Sequence, residues 1–434
     1  TRMAGVASRS SRKGEDAYAV HEKSSLSFYG VFDGHGGKEL AQALAAEMPR
    51  RLLGLGPSPS TAAVVSAYYD VDATLGAKFP VQGSTAVCAV VERAADKATA
   101  CLSWVGDSKL VEVDVLSSSR KADPFESWPH HVDNPREVAR IEAQARLRAH
   151  HPELRAVADR AASVEAFEES PEFKQALHDV LSQIRGPSSP MALATSCKRH
   201  LRVSFGSAAA DPAVDDDGDA LPLEKTLCNA LARSLDYESR VSAFFDDDAD
   251  NTNDDASTKK KEESREHKPR RAQSKITRRE MQSGAKGPVV VQTRWLTSSP
   301  DVTRGSSTRV TRSIGDWDSS RTLIPHPEVV LREVTGAAVW RRFVLASDGF
   351  WDVASAKAVR DVASKFAGTQ DAADALIKLA HRKYAKQNVT PNPFTDDTTI
   401  LVFDLKLGDP QLPSSRARRS PWLCFSNAAT AVRS

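Results

Sequence analysis

The chain of 434 residues lacks the long apolar runs and the paired cysteines that mark membrane and secreted proteins. No run approaches the roughly 18 apolar residues that a membrane-spanning helix needs, so we expect no membrane partner. Its five cysteines are scattered without a Cys-x-x-Cys pair. That spacing favours reduced thiols in an intracellular protein, cytoplasmic or nuclear, over a disulfide framework. The chain opens with Thr-Arg-Met, as a fragment would, so the absence of a signal peptide carries little weight.

The chain also lacks a strong overall charge, because 59 basic residues nearly balance 57 acidic ones and leave a net charge of +2. No global field therefore favours nucleic acid as a partner. Locally the charge is uneven. Aspartate runs between 215 and 255 precede a basic run, Lys259–Arg279, and blocks of like charge usually stay solvated. We expect a linker here; a nuclear import signal or a nucleic-acid patch is the weaker alternative.

Composition divides the chain into four zones. Residues 1–145 and 287–407 have globular patterning and are predicted to be two parts of one catalytic domain. Residues 146–286 read as a low-complexity charged insert that we expect to be largely disordered, and 408–434 as a flexible tail. Within the insert, 153–184 has helical composition, and Leu223–Phe245 is predicted to be one isolated amphipathic helix.

Secondary structure in the two globular zones follows from the pattern of apolar residues. Short β-branched runs predict strands over Phe28–Phe32, Ser84–Val91, Thr99–Val105, Leu110–Val115, Arg342–Ala346 and Thr398–Leu405. Apolar periodicity predicts helices over Lys38–Leu53, Thr61–Lys78, Ser355–Phe366 and Asp371–Lys386. Asp133-Asn134-Pro135 predicts the start of another helix.

Acidic residues recur at the ends of these predicted strands and in the turns between them. They are Glu15-Asp16, Asp33, Asp107, Asp348, Asp352 and Asp396-Asp397. Carboxylates that are gathered together raise one another's pKa unless a cation neutralises them. Because oxygen ligands suit Mg²⁺ and Mn²⁺ and no zinc-type Cys/His set is present, the pattern predicts a site for these hard cations. His35 follows Asp33 on a glycine-rich turn and is a residue type suited to proton transfer.

Seven motifs carry a resemblance to a known family. They are Glu15-Asp16, Phe32-Asp33-Gly34-His35-Gly36-Gly37, Gly83-Ser84-Thr85-Ala86, Val105-Gly106-Asp107-Ser108, Thr311-Arg312-Ser313-Ile314-Gly315-Asp316, Ala346-Ser347-Asp348-Gly349-Phe350-Trp351-Asp352 and Asp396-Asp397-x-Thr399. In this order they resemble the metal-dependent PP2C (PPM) protein serine/threonine phosphatases. Each motif alone is weak, whereas seven in order on both sides of the insert are specific.

The resemblance implies a fold and an activity. The implied fold is α+β, with a PP2C-like central β-sandwich of two antiparallel sheets flanked by α-helices in four αββα layers. The implied activity is hydrolysis of phosphoserine and phosphothreonine in phosphoprotein substrates, by a water activated at a binuclear Mn²⁺ or Mg²⁺ centre. A weaker third metal is also implied, and we expect a monomer. The alternative is a catalytically inactive member that serves as a regulatory or binding module.

The resemblance also implies a role for each motif residue. Asp33 would bridge both metals, the Gly34 carbonyl would ligate one, and Asp348 and Asp396 the other. Glu15 and Asp16 would hold metal-bound waters, and Asp107 and Asp352 would ligate the third metal. His35 would protonate the leaving serine or threonine oxygen. Arg12 is the candidate for gripping the phosphate.

Several of these assignments keep an alternative. The family's phosphate-gripping arginine lies four residues before the glutamate, which here is Ser11, so Arg12 requires a one-residue deletion and Arg9 is the other candidate. Asp396 is preferred to Asp397 as ligand. Alternatively, Asp33 would cap the helix at Lys38 and Asp352 the helix after it. Nearby side chains are read as structural: His130-His131 as an exposed loop rather than a metal pair, and Trp317 and Trp351 as packing residues.

The insert falls between the helix at Arg136–Glu142, which matches the family's Arg-Ile-Glu stretch, and Thr311-Arg312. In the family that interval includes the flap beside the active site, which is tied to substrate choice. We therefore hypothesise that the insert modulates substrate access or partner binding. An EF-hand reading of the aspartate run at Asp246 is rejected, because Asn251 and Ser257 stand where the loop needs glycine and glutamate.

Overall fold

Two antiparallel sheets stack face to face at the centre of the computed structural model. The described residues are 4–11, 13–23, 25–94, 96–115, 125–131, 134–183, 229–235, 275–281, 290–296, 310–317, 323–335, 339–387 and 393–407. One sheet has, in spatial order, the strands β1 (Ala4–Arg9), β14 (Thr398–Leu407), β13 (Val339–Ala346) and β8 (Lys109–Asp114). The other has β12 (Glu328–Thr335), β7 (Lys97–Val105), β6 (Ala86–Arg93), β3 (Leu26–Phe32) and β2 (Ala17–His21).

The space between the sheets is filled by the inward-facing residues of both. Tyr29 of β3 stacks on Phe403 of β14 with ring centroids 4.3 Å apart, and Phe343 of β13 stacks on the other side. Trp104, Leu345 and Leu401 belong to the same buried cluster. Strand residues alternate between two faces, so the opposite faces of the sheets remain to be covered.

Helices cover both outer faces. α1 (Glu39–Gly54) and α2 (Thr61–Val71) pack on the five-stranded sheet. α9 (Ala356–Ala363) and α10 (Thr369–Gln387) pack on the four-stranded sheet, and the short helix α8 (Asp348–Trp351) precedes them. The result is the four-layer αββα sandwich, and the predicted fold class is confirmed.

The six predicted strands are all present, but Ser84 does not belong to the strand at 86–93. Gly83–Ser84 forms its own short strand, β5, between β4 (Gly34–His35) and β11 (Ile314–Gly315) in a three-stranded sheet. His35 and Gly315 both pair with Gly83, one from each side. This small sheet joins the glycine-rich turn after β3 to a segment almost 280 residues further along the chain.

The predicted helix over Thr61–Lys78 is only partly correct. α2 ends at Val71, and residues Asp72–Gly76 continue as a π-helical turn. π-helical turns are rare and frequently lie at functional sites. The change of period turns Asp72 inward, where it is completely buried, although a uniform helix gave no reason to expect this.

The helix predicted from Asp133-Asn134-Pro135 is confirmed as α3 (Pro135–His150), with the Asn134 side chain accepting a hydrogen bond from the Arg136 amide. Its far half packs with α4 (Leu154–Arg160), α5 (Val164–Glu168), α6 (Pro171–Gln183) and a helix over 229–235, which we call α7. Leu231 and Ala232 of α7 lie in this shared core. Of the predicted helix over Leu223–Phe245, residues 229–235 are described and helical, and they pack against this unit rather than standing alone; the remaining residues of that range lie outside the described residues.

Strands β9 (Lys275–Met281) and β10 (Val290–Leu296) form a separate antiparallel pair. The boundary expected at 286–287 falls between these two strands. The aspartate runs, most of the basic run and the tail from 408 lie outside the described residues. No helix in the described part of the chain is long and apolar enough to cross a membrane.

Candidate active site

The end of β3 is the starting point of the site. Asp33 follows the buried strand, and the adjacent chain holds its backbone: the Thr85 amide donates to the Asp33 carbonyl (2.9 Å), and the Asp33 amide donates to Thr85 Oγ1 (3.3 Å). A Cβ at Gly34 would lie 2.8 Å from the Glu15 carbonyl oxygen, so only glycine fits here. The helix-capping alternative for Asp33 is wrong, because no side chain caps α1 at Lys38.

The segment 11–16 is tied to the start of β14 through Asp397. The two carboxylate oxygens of Asp397 accept hydrogen bonds from the backbone amides of Ser11 (2.5 Å) and Glu15 (2.6 Å). Asp397 is only 3% exposed, and these bonds use its oxygens. Asp396 next to it is half-buried and acts electrostatically on Asp348. Both Asp396 oxygens accept from Lys13 Nζ instead, so the choice of Asp396 over Asp397 as the metal ligand stays a prediction.

Three further carboxylates come from the turns at the same end of the sandwich. Asp107 lies between β7 and β8, and Asp348 begins α8 directly after β13. Asp352 follows α8, and its charge acts on both Asp107 and Asp348. The proposal that Asp352 merely caps the next helix is wrong, because Ser355 caps α9 through the Ala358 amide.

The electrostatics shows that these carboxylates are crowded together. Burial, followed by the charges of Asp348, Asp16 and Asp107, raises the pKa of Asp33 well above its ordinary value. Burial and then the charge of Asp348 raise the pKa of Asp107 to about 7. Burial also raises the pKa of Asp16 to about 7, with Asp397 and Asp348 adding to the effect. A group of acids in this state binds either protons or a cation.

Two observations test whether the residues fit a hard cation. Asp16 Oδ2 accepts a hydrogen bond from Ser347 Oγ (2.8 Å), but its Oδ1 is buried with no hydrogen-bond partner. Buried polar atoms normally have a partner, so this oxygen is suited to bind a cation. On the other hand, no three acidic, histidine or cysteine side chains among the described residues converge closely enough to enclose an ion as they stand. The chemistry fits Mn²⁺ or Mg²⁺, and binding would require the carboxylates to draw together.

Beside these acids, His35 forms a pair that sequence reasoning missed. Its Nε2 lies 2.8 Å from both carboxylate oxygens of Asp316. The pair spans the small sheet, and a Cβ on Gly83 would lie 2.2 Å from both His35 Nε2 and Asp316 Oδ2. The glycine is therefore required for the contact. Asp316 stood within a recognised motif, but nothing in its local sequence indicated a histidine partner.

Asp316 controls the charge state of His35. Burial alone would lower the pKa of His35, but the charge of Asp316 and its hydrogen bond outweigh it, with smaller contributions from Asp107 and Glu15. The pKa is raised to about 9. The imidazole side chain is still 38% exposed, so a ligand can reach it. A protonated, accessible imidazole beside a carboxylate cluster has the properties of a proton donor.

Comparison with known proteins identifies the family. The family model described as protein phosphatase 2C matches residues 4–148 and 254–389. These two stretches make up well over half of the chain. The chain belongs to the protein phosphatase 2C family.

Named members of the protein phosphatase 2C family match shorter stretches. "Probable protein phosphatase 2C 69" from Oryza sativa subsp. japonica is 27% identical over 118 residues, which is 27% of this chain and 25% of that protein. "Probable protein phosphatase 2C 5" from Arabidopsis thaliana is 35% identical over 96 residues, covering 22% of this chain and 20% of that protein. The chain thus spans about a quarter of the length of the curated relatives it matches.

Solved structures are similar over longer stretches at low identity. The serine-threonine phosphatase 2C from Toxoplasma gondii is 15% identical with a TM-score of 0.44, covering 93% of this chain and 94% of that one.

The phosphate-gripping residue of the protein phosphatase 2C family has no described counterpart at Arg12, which lies outside the described residues. Arg9 is exposed and donates to the Ser8 carbonyl. A described cation beside the carboxylates is Lys13, whose Nζ lies 3.1 Å from both carboxylate oxygens of Asp396. Burial lowers the pKa of Lys13, but Asp396, Glu15 and Asp33 together raise it above its ordinary value. Sequence reasoning missed Lys13.

The expectation of an exposed loop at His130-His131 is wrong for His130. His130 is buried beside Trp104, and its Nδ1 accepts a hydrogen bond from the Gly106 amide (3.1 Å). Burial, followed by the charge of Arg312, holds the pKa of His130 well below its ordinary value, so it stays neutral. Its position supports the turn that carries Asp107. Trp317 is buried, and Trp351 packs partly buried against the core under α9 and α10, so both are packing residues as predicted.

Proposed function

We propose that this chain is a metal-dependent phosphatase that hydrolyses phosphoserine and phosphothreonine in phosphoproteins. The observation that carries the proposal is the crowding of carboxylates beside the protonated His35. Burial and the charges of Asp348, Asp16 and Asp107 raise the pKa of Asp33, and burial and the charge of Asp348 raise the pKa of Asp16 and of Asp107. Two Mn²⁺ or Mg²⁺ ions, when bound, would neutralise this charge, activate a water and clamp the phosphate.

The ligands proposed for these ions come from both ends of the chain. Asp33 would bridge the two ions, with the Gly34 carbonyl on one side and Asp348 and Asp396 on the other. Glu15 and Asp16 would bind through water. Asp107 and Asp352, whose charges act on each other, would hold a weaker third ion.

His35 would supply the proton that a poor leaving group needs. The alkoxide of serine or threonine leaves only if its oxygen is protonated as the phosphorus–oxygen bond breaks. Asp316 holds Nε2 of the ring, which leaves the proton on Nδ1 for the leaving oxygen. Since Asp316 raises the pKa of His35 to about 9, the ring would carry this proton at neutral pH.

A cation is also needed to bind the phosphate oxygens. Arg12 stays a proposal for this role, because arginine can grip two phosphate oxygens at once. Lys13 is the second candidate, supported by its position at Asp396. Measuring KM of Arg12→Ala and of Lys13→Ala on the same phosphopeptide would tell the two apart. Loss of the residue that binds the phosphate should raise KM more than loss of the other.

The test is hydrolysis of p-nitrophenyl phosphate and of a phosphoserine peptide in the presence of Mn²⁺ and then of excess EDTA. Asp33→Asn should reduce turnover by about two orders of magnitude or more, since it weakens both ions at once. Manganese binding, followed by the electron spin resonance of free Mn²⁺, should fall in parallel. The matched control is Asp361→Asn, which removes an exposed carboxylate of α9 paired with Lys357.

The outcome decides between the proposal and its alternative. Turnover that requires Mn²⁺ and disappears in Asp33→Asn supports the enzyme. A folded wild-type chain without metal-dependent turnover on either substrate would leave the inactive binding module as the better interpretation. Light scattering during the same preparation tests whether the chain is a monomer.

We also infer that the insert modulates access to this site. Arg233 of α7 bonds Glu165 on α5 (2.8 Å) and lies over the ring of Tyr69 on α2, so the insert contacts the sandwich near Asp72. Removing residues 150–284 would strip α4–α7 from α3, so a milder change is needed. Replacing 186–226 by a Gly/Ser sequence of equal length should change turnover of protein substrates more than that of p-nitrophenyl phosphate. Equal effects would contradict the inference.

A further inference from the structure

The π-helical turn after α2 carries a buried carboxylate that the proposed chemistry does not use. Asp72 has no exposed surface. Burying a carboxylate is costly unless hydrogen-bond donors compensate it. The Gly315 amide donates to Oδ1 (2.6 Å), and the Trp317 indole donates to Oδ2 (3.0 Å). Both donors come from a segment more than 240 residues away.

These two donors flank Asp316. The backbone there is strained: Asp316 has φ 58°, in the left-handed region that non-glycine residues rarely adopt, and Gly315 before it has φ 83°. Such a conformation persists only where the surroundings enforce it. Asp72 holds both sides of the strained residue, while the Asp316 amide donates to the Gln82 carbonyl (2.8 Å).

The strained conformation has a visible result, because it directs the Asp316 carboxylate onto His35. Both oxygens lie 2.8 Å from Nε2, and Ser313 Oγ donates to Oδ2 (2.6 Å). If the turn relaxed to an ordinary conformation, the carboxylate would swing away from the imidazole. The clamp on the turn therefore fixes the ring.

We propose that Asp72 is a positioning residue for the proton donor, acting through the 314–317 turn and Asp316 on His35. Its hydrogen bonds to the Gly315 amide and the Trp317 indole reach His35 through Asp316, which lies between them in the chain. The inference rests on the proposed function, because it assigns a residue that keeps the proton donor of that reaction in place.

A positioning role makes a different prediction from a purely structural one. A serine alkoxide is a poor leaving group and needs the proton, whereas p-nitrophenolate leaves without it. Misplacing His35 should therefore slow hydrolysis of the phosphoserine peptide and hardly affect hydrolysis of p-nitrophenyl phosphate. General damage to the fold would slow both substrates alike.

The first variant is Asp72→Asn, which keeps the shape but brings an amide donor against the Trp317 indole. We expect kcat on the phosphoserine peptide to fall about 10- to 100-fold, part of the 10²–10⁴ that a proton donor contributes. KM and kcat on p-nitrophenyl phosphate should change less than about threefold. The control is Asp70→Asn, the same change at an exposed site of α2, which should alter neither substrate.

A double variant tests whether Asp72 acts on catalysis through His35. In a His35→Gln background, adding Asp72→Asn should cause no further loss on the phosphoserine peptide, because the donor is already absent. If Asp72→Asn does not fold, as judged by circular dichroism, Trp317→Phe removes one of the clamp's hydrogen bonds and keeps the carboxylate. Trp317→Phe should lower kcat on the phosphoserine peptide by a smaller factor than Asp72→Asn and leave kcat on p-nitrophenyl phosphate unchanged.

Three results would overturn the proposal: equal losses on both substrates, no loss on either, or a full further loss in the His35→Gln background. Each requires a wild-type chain with Mn²⁺-dependent turnover. A wild-type chain without such turnover would instead overturn the proposed function itself, and the proposal about Asp72 with it.

Discussion

At the scale of single residues, the contact between His35 and Asp316 has the most direct consequence for chemistry. Asp107 and Glu15 also raise the pKa of His35, but both are proposed metal ligands whose charge a cation would neutralise. Asp316 would then be the anion that keeps the proton on His35. The pair of Asp316 and His35 is therefore expected to determine how activity falls at alkaline pH.

Asp316→Asn should lower the pKa of His35 from about 9 to its ordinary range or below, since burial opposes the charged form. A group with a raised pKa keeps its proton below that value and loses it as pH rises through it. The alkaline limb of kcat on a phosphoserine peptide should therefore move to lower pH, with a loss of roughly tenfold or more at pH 8. A limb that stays in place would contradict this role of Asp316.

Gly83→Ala should separate the same pair by steric means. Its Cβ would lie 2.2 Å from both His35 Nε2 and Asp316 Oδ2, too close for either to stay. We expect about a hundredfold lower kcat on the phosphoserine peptide, with Mn²⁺ binding unchanged. Gly54→Ala is the control, because a Cβ there meets nothing within 4 Å. Wild-type turnover of the peptide by Gly83→Ala would show that the contact is not needed.

At the scale of secondary-structure elements, α3 is joined to the 310–317 segment by a buried ion-pair network. Glu137 of α3 accepts from Arg312 Nη2 (2.6 Å), Thr311 Oγ1 (2.8 Å) and Arg140 Nε (3.1 Å). Burial alone would raise the pKa of Glu137, but the charges of Arg312 and Arg140 outweigh it and hold the pKa well below its ordinary value. The network attaches the Asp316 turn to the helical unit α3–α7.

Glu137→Gln should lower the free energy of unfolding by about 3–5 kcal/mol at pH 7, because two buried guanidinium groups lose their charged partner. A depressed pKa contributes stability that is complete above the ordinary pKa of about 4.3 and is lost as pH falls toward the folded value. The difference between wild type and variant should therefore narrow below that pH. Urea unfolding at pH 7 and pH 4, with Glu142→Gln as the control on the same helix, measures both effects.

What the sequence could predict at this scale depends on where the determining contacts lie. The strands at 28–32, 99–105 and 398–405 were predictable because their patterning is local. The end of α2 at Val71 was not, because the π-helical turn is linked to donors from Gly315 and Trp317 rather than to a breaking residue in its own sequence. Asp316 was missed for the same reason: its partner is distant in sequence.

The carboxylates show the same division. Their residue types and their places at strand ends could be predicted from the sequence. The structure brings Asp33, Asp107 and Asp348 close enough to shift one another's pKa. The sequence could not predict that Asp396 and Asp397 have different surroundings, because this depends on which of them accepts hydrogen bonds from the Ser11 and Glu15 amides. The burial of His130 depends likewise on the fold around Gly106.

At the scale of the whole molecule, the acid cluster links metal binding to stability. Asp16 and Asp107 have a folded pKa of about 7, above the ordinary value of about 3.9 for an unfolded aspartate. Between these values the folded chain binds more protons than the unfolded one, so stability falls as pH rises. The metal-free protein should therefore have a higher Tm at pH 6 than at pH 8.

Saturating Mn²⁺ should raise the Tm at pH 8 and flatten this dependence, because a cation replaces the protons and binds only the folded state. Thermal unfolding at pH 6, 7 and 8, with Mn²⁺ or with EDTA, measures both. In Asp33→Asn the stabilisation by Mn²⁺ should shrink. A Tm that is independent of pH without metal would contradict the crowding of these acids.

The pairing of β1 with β14 has a consequence for how the molecule is made. β1 begins at Ala4, yet its partner strand ends at Leu407, and Ser11 and Glu15 depend on Asp397. Before the ribosome has added β14, the hairpins of the five-stranded sheet can already form, but β1 lacks the strand with which it pairs in the described part of the chain and has an open edge. The acid cluster therefore forms only after β14 has been translated, and a nascent chain that has not yet reached Leu407 lacks it.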